Sequence, residues 1–366
     1  MAEEVNAGQF LESMAALARE LDCPTVLVPT DDYSAILIAE NAEALASIFR
    51  FPRPPSALPR TLANKRTLYE LCKARDIACP ATFFPESRAE FLDFAQRVRL
   101  PVVVKAIEPW RAPSGLRSTV LVSDRDELIN YCDARQVPAT SVMIQEMIPA
   151  STSEDWFVHG YCDSGSNPLA LFTGVKLRSY PPFAGPTTLG RAIRNDFLLG
   201  QATDLMKSIG YWGIMDLDYR FDKRDGHYNL LDFNPRVGAQ FRLFRTAEGT
   251  DVVRAMHLDL TGRAIEASPQ IEGRTFVSEV HDLFASWAHF RNGSLTLSEW
   301  LRSLRRIDET AWFSPTDPWP FFLLCLHMPV RAFRRDSLPR NLKRTEEMPH
   351  ASAETLQPTE GELPPN

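Results

Sequence analysis

One hairpin restricts what this chain can become more than any other stretch. Residues 213–221 (Gly-Ile-Met-Asp-Leu-Asp-Tyr-Arg-Phe) and 228–233 (Tyr-Asn-Leu-Leu-Asp-Phe) read as strands, and Asp222-Lys-Arg-Asp-Gly226 between them reads as a turn. Asp218 lies on the outgoing strand and Asp232 on the returning one, 14 positions apart. A hairpin of that length sets the two carboxylates across from each other. Asp232 and Asn234 are two apart on one strand, so they point to one face. Three oxygen donors on one face suit a hard cation such as Mg²⁺ (or Mn²⁺). Such an ion takes one or two carboxylates and completes its shell with water and phosphate oxygens. Arg236, just beyond Pro235, can grip a phosphate or acyl phosphate with its planar fork.

The rest of the chain supplies an α+β setting. Apolar spacing predicts helices over 9–21, 40–49, 61–76, 86–99, 195–209 and 247–261, and a further helix over 125–135 with Asp124 as its N-cap. Short apolar runs predict strands at 25–28, 82–84, 101–105, 119–122 and 142–148, with a hairpin at 156–176 whose turn is Asp163-Ser-Gly-Ser-Asn-Pro168. Pro52, Pro54, Pro55 and Pro59 mark a boundary. The division expected is 1–59 as a shortened α/β domain, 60–148 and 149–265 as two α+β halves, 266–336 as a helical extension, and 337–366 as a disordered tail.

Three cationic side chains stand out. Lys105 ends the apolar strand Pro101-Val-Val-Val, so its charge must meet water or an anion. Lys176 and Arg178 alternate on a strand and are expected to share one face. The formal charge of −7 over 366 residues argues against a general nucleic-acid binder. The N-terminus lacks a basic, apolar secretory signal, and no apolar run approaches the roughly 20 residues of a membrane span. Cytoplasmic localisation follows as the expectation. Cys23, Cys72, Cys79, Cys132, Cys162 and Cys325 show no zinc-like or C-x-x-C spacing, and buried thiols are expected. The run Trp319–Met328 is expected to be a buried helix.

Gly213-Ile-Met-Asp-Leu-Asp218 followed by Leu231-Asp-Phe-Asn-Pro-Arg236 resembles the metal-binding signature of the ATP-grasp superfamily. That superfamily includes biotin carboxylase, carbamoyl phosphate synthetase and D-alanine–D-alanine ligase. Asp232 stands where the family usually has Glu. The resemblance implies two α+β subdomains clasping ATP, preceded here by a truncated α/β domain. It implies that Lys65, after Asn64, and Lys105 contact ATP phosphates. It implies that the Gln145-Glu146-Met147-Ile148 strand is a hinge whose backbone meets the adenine edge. Glu154 or Asp155 would hold the ribose, with Glu154 preferred. The family's phosphate lid is rich in Gly, whereas Glu108–Gly115 has one, so Arg111 and Ser114 are expected to act through side chains. The segment from Gly174 to Thr188 resembles predicted carboxylate–amine ligases close to D-aspartate ligases, and places Lys176 and Arg178 on the phosphate and acceptor side. The implied activity joins a small-molecule carboxylate, such as an amino acid, to an amine through an acyl phosphate. Charge stabilisation would come from Lys105, Lys176 and Arg236. Two alternatives remain open in the sequence: a bicarbonate-activating enzyme and a non-catalytic ATP-binding regulator. A homo-oligomer is compatible with everything above.

Overall fold

The structure, a computed structural model, describes residues 7–21, 23, 25–112, 116, 119–182, 185–291 and 293–333, the side chains of 327–333 apart. Ser114 and the tail at 337–366 lie outside the described residues. Three sheets organise the chain. β1 (Thr25–Val26) and β2 (Phe49–Arg50) pair in parallel. β3 (Thr82–Phe83), β4 (Val102–Ala106), β5 (Val120–Val122) and β6 (Val142–Glu146) form a four-stranded sheet in the order β3-β6-β4-β5. The large sheet contains β7 (Ser153–Cys162), β8 (Pro168–Ser179), β9 (Thr187–Ala192), β10 (Gly213–Asp222), β11 (His227–Asn234), β12 (Thr275–Val277) and β13 (Glu309–Thr310). Its order is β11-β10-β7-β8-β9-β12-β13.

Strand alternation divides the large sheet into two unlike faces. On β10, Met215, Leu217 and Tyr219 are buried with Trp156 and Val158 of β7 in one core. The helices Lys65–Ala74 and Asp196–Ile209 supply Leu68, Cys72, Leu205 and Met206 to it. The opposite face changes character along its length. At one end Ile214, Tyr161 and Phe172 pack with Phe244 and Met256. Towards the other end the same face carries Asp216, Asp218 and Arg220 opposite His159, Phe157 and Asp155. A face that begins apolar and ends charged leaves the charged half for another role.

Local chemistry fixes the element ends. Asn195 caps the helix Asp196–Ile209 by accepting from Leu198 N–H, and Gly210 closes it in a left-handed conformation. The apolar run 36–39 is not a strand: Asp31 caps a helix over Asp32–Glu40, whose residues 35–39 are all buried. Asn64 divides the predicted helix 61–76 in two. Asn130 likewise separates Arg125–Ile129 from Tyr131–Arg135, with Asp124 capping the first.

Three expectations are corrected. Arg178 is not turned to phosphate. Its fork is held by Asp282 of the helix Glu279–Arg291, with both N–H···O distances 2.8 Å, and its third nitrogen reaches Ser303 at 2.9 Å. Irregular register on either side of Arg178 accompanies this departure from simple alternation. The helix over Trp319–Phe333 is not buried: Trp319 is 63% and Leu326 67% exposed. Among the cysteines, Cys72, Cys132 and Cys162 are buried, but Cys23 and Cys325 are exposed. Among the described residues no helix is long and apolar enough to cross a membrane.

The Arg178–Asp282 pair ties β8 to the segment beyond residue 266, and both side chains are almost fully buried. Thr188 Oγ1 and Trp300 Nε1 also donate to the Asp282 carboxylate, at 3.1 and 3.2 Å. Removing one partner of such a pair strands a buried charge, at a cost of roughly 3–5 kcal/mol. Arg178→Met should therefore lower the unfolding free energy by about that amount, read from urea denaturation. Unchanged stability with lost turnover would instead return Arg178 to the chemistry.

Candidate active site

The hairpin of β10 and β11 depends on one irregularity. The ladder runs regularly from Asp222↔His227 to Tyr219↔Leu230. Continued without a break, it would set Asp218 against Leu231 and turn Asp232 to the other face. A bulge at this point makes Leu231 the extra residue, and the next pairs are Asp218↔Asp232 and Asp216↔Asn234. All four polar side chains then share one face with Arg220.

Neighbouring elements bring cations to these carboxylates. Lys65 opens the helix Lys65–Ala74. The Asn64 side chain caps that helix, and the Lys65 N–H donates to Ile107 O at 3.0 Å, which pins the helix start to the end of β4. The buried Lys65 ammonium forms an ion pair with Asp232. Lys176, on β8, lies 2.8 Å from Asp218. Arg236 reaches Asp216 at 3.0 Å and Asp32 at 3.3 Å. Lys105 lines the same cavity from β4, but its ammonium makes no hydrogen bond or ion pair among the described residues.

The electrostatics follow from this crowding. Burial pushes the Lys105 ammonium down to about 8, against the pull of Asp232. Burial also opposes the charge of Asp232, but Lys65 and Lys105 outweigh it and its pKa falls. For Asp218 burial prevails over Lys176, with Asp216 pushing the same way, and the pKa rises. Asp216 is held well below the usual carboxylate range, since His159 and Arg236 overcome its burial.

The sheets meet at the segment after β6. Gln145, Glu146 and Ile148 all line the cavity, which has a volume of about 360 Å³. Gln145 Nε2 donates to Thr82 Oγ1 at 3.0 Å, and Glu146 lies 3.4 Å from Arg224. Arg220 clamps this linker: it pairs with both Asp155 oxygens, at 2.6 and 3.0 Å, and donates to Ile148 O at 3.4 Å. Alternation sends the two candidate acids to opposite faces. Asp155 lies opposite Arg220 on the charged face and lines the cavity. Glu154 lies opposite Phe221, pairs with Lys223 at 2.9 Å and is absent from the cavity wall. The preference for Glu154 is therefore corrected. Arg111, near this region, donates to Glu108 at 3.3 Å.

Residues the motif did not announce complete the site. Asp216 has the parity of Asp218, which was the available signal. Asp32, from the first block, reaches Arg236; nothing in its local sequence indicates that contact. His159 lies fully buried, 3.0 Å from Asp216. Gly238 accommodates this pair: a Cβ there would meet the His159 ring at 2.3 Å and the Asp216 carboxyl at 2.8 Å.

The donor set fits a hard cation that retains outside ligands. Asp218 Oδ1 is buried and accepts no well-aligned hydrogen bond. Asn234 Nδ2 donates to Asp216 O at 3.2 Å, which leaves the amide oxygen as its ligating end. Among the described residues, no three His, Cys, Asp or Glu side chains gather as a protein-only metal cage would need. Two carboxylates and an amide agree with Mg²⁺, whose remaining positions go to water and phosphate.

No family model matches the chain. In sequence it is 24% identical over 263 residues to the D-aspartate ligase of Enterococcus faecium (strain Aus0004), a match covering 67% of this chain. The chain spans 62% of the length of that relative. Among solved structures, N5-carboxyaminoimidazole ribonucleotide synthetase from Thermus thermophilus matches with a TM-score of 0.53 at 13% identity, over 73% of this chain and 69% of that one. L-amino acid ligase from Bacillus licheniformis matches at 0.52 and 16%, over 70% and 60%. The biotin carboxylase domain of Hydrogenobacter thermophilus 2-oxoglutarate carboxylase, solved with MgADP and bicarbonate, matches at 0.52 and 14%, over 72% and 59%. The strand order, the bulged carboxylate hairpin and these matches agree: the chain has the ATP-grasp fold.

Proposed function

We propose that the chain is an ATP- and Mg²⁺-dependent ligase that joins a small-molecule carboxylate to an amine through an acyl phosphate. The observation that carries this reading is Lys105, a cation without a protein partner among the described residues, set in one cavity with the facing carboxylates Asp218 and Asp232. Anion-binding and cation-binding groups on one wall suit a metal triphosphate. The sequence similarity to a D-aspartate ligase supports the same class.

Asp218, Asp232 and Asn234 would hold Mg²⁺. Bound there with phosphate oxygens, the ion would offset charge during phosphoryl transfer. Asp155 would receive ribose hydroxyls, and the backbone of the linker at Gln145–Ile148 would meet adenine. The substrate carboxylate attacks the γ-phosphorus, and the bond to the ADP oxygen breaks. Lys105, Lys176 and Arg236 stabilise the charge that spreads over the transferring group. The amine then attacks the acyl carbon, phosphate leaves, and the amine's proton is lost to solvent. No nucleophilic protein side chain is required.

ADP release with MgATP, measured against a panel of amino acids, hydroxy acids and bicarbonate, tests the activity. Stimulation by an amino acid is expected. Nucleotide binding with no stimulation by any member would leave a binding protein rather than a ligase. In Asp232→Asn the Mg²⁺-dependent turnover should fall at least about 100-fold, the scale of a lost electrostatic stabiliser, with folding retained in circular dichroism. Wild-type turnover in that variant would remove the metal assignment.

Lys105 gives a pH prediction. Its protonated form attracts phosphate, and in the free protein the proton leaves near pH 8. MgADP association should be strongest below pH 8. It should weaken above that by up to about tenfold per pH unit until the complex itself loses the proton. Titration calorimetry from pH 6.5 to 10 reads this directly. Lys105→Arg, charged throughout, should flatten the profile. A flat wild-type profile would show that Lys105 does not meet phosphate.

A further inference from the structure

The 236–240 turn and the start of β9 contribute two polar side chains that the proposed phosphoryl chemistry does not use. Gln240 is 7% exposed and lines the cavity, and its side-chain amide has no hydrogen-bond partner among the described residues. Thr187 lines the same cavity, and its buried hydroxyl also has none. Buried amides and hydroxyls are nearly always paired in folded proteins, because an unmade hydrogen bond costs more than a made one gains. The Thr187 hydroxyl is such an exception, and Gln240, whose amide has no protein partner among the described residues, lines the same cavity.

The charges around them are already matched. Arg236 is held by Asp216 and Asp32, Lys176 by Asp218, Lys65 by Asp232 and Arg220 by Asp155. Lys105 stands on β4 with the phosphate-facing groups. A charged side-chain end on the substrate would enter this wall without a counter-charge and lose its hydration. An uncharged group that both donates and accepts would be satisfied by an amide and a hydroxyl.

We infer that Gln240 and Thr187 form the subsite for the non-reacting end of the substrate, and that this end is an uncharged hydrogen-bonding group, a carboxamide or a hydroxyl. The inference rests on the ligase reading above. It assigns specificity to two neutral side chains rather than to the charged groups around the metal site.

The test uses the full chain with MgATP and size-matched substrates: asparagine against aspartate and leucine, glutamine against glutamate and methionine, serine against alanine, and the corresponding hydroxy acids. Amide- or hydroxyl-bearing members should give the highest kcat/KM for ADP release. For the best of them, Gln240→Leu and Thr187→Val should each lower kcat/KM about 10- to 100-fold, mainly through KM. Thr187→Ser, which keeps the hydroxyl, should stay within about threefold of wild type. MgADP affinity should be unchanged in all three, which a misfolded cavity could not deliver. A best substrate whose side chain is charged or wholly apolar overturns the inference. So does a Gln240→Leu protein with wild-type kcat/KM. If no panel member and no bicarbonate stimulates wild type, the ligase reading fails and takes the inference with it. The response of wild type therefore tells the two failures apart.

Discussion

The approach of Asp218 to Asp232 across β10 and β11 is the constraint on which the rest of the site depends. Two carboxylates directly opposite in a ladder repel each other. In a partly dry cavity the repulsion exceeds its value in water. The fold offsets it with cations from separate places: Lys176 from the neighbouring part of the same sheet, Lys65 from a helix start and Lys105 from the four-stranded sheet. The Lys65–Asp232 pair therefore links elements far apart in the chain. The same charges that line the cavity also help to hold its walls together.

Much of this was legible because alternation is a short-range signal. From Met215 to Phe221 the polar and apolar residues change places at every step, which marks a two-faced strand before any contact is known. The hairpin length set Asp218 near Asp232. The count alone could not show the bulge at Leu231, without which those side chains would face apart. Asp216 shared the parity of Asp218 and was available to the same reasoning. Asp32 was not, because its contact with Arg236 crosses about 200 residues of chain.

Arg178 shows where local pattern misleads. Two positions from Lys176, it has the spacing of a partner on the same face. Its fork is instead held by Asp282, more than a hundred positions away, with Thr188 and Trp300 donating to the same carboxylate. Spacing fixes which side of a strand a residue leaves from; a long side chain can still turn towards any anion within its reach. Glu154 illustrates the complementary case. The sequence offered two adjacent acids, and the pleat separated them: Asp155 to the cavity with Arg220, Glu154 to the other face with Lys223.

The charge balance of the cavity gives these contacts a further meaning. Asp32, Glu146, Asp155, Asp216, Asp218 and Asp232 are set against Lys65, Lys105, Lys176, Arg220 and Arg236, with Arg224 shared between Glu146 and Asp222. In the proposed reaction a divalent ion and a more highly charged triphosphate enter together and shift that balance towards negative. In that reading Asp218 and Asp232, now paired with Lys176 and Lys65, would hold the metal, and those ammonium groups would turn to phosphate oxygens. Lys105, whose proton burial weakens in the free protein, regains its full charge in the presence of the triphosphate. On the proposed reading, a site assembled from exchangeable ion pairs would be polarised for phosphoryl transfer by the metal and nucleotide together.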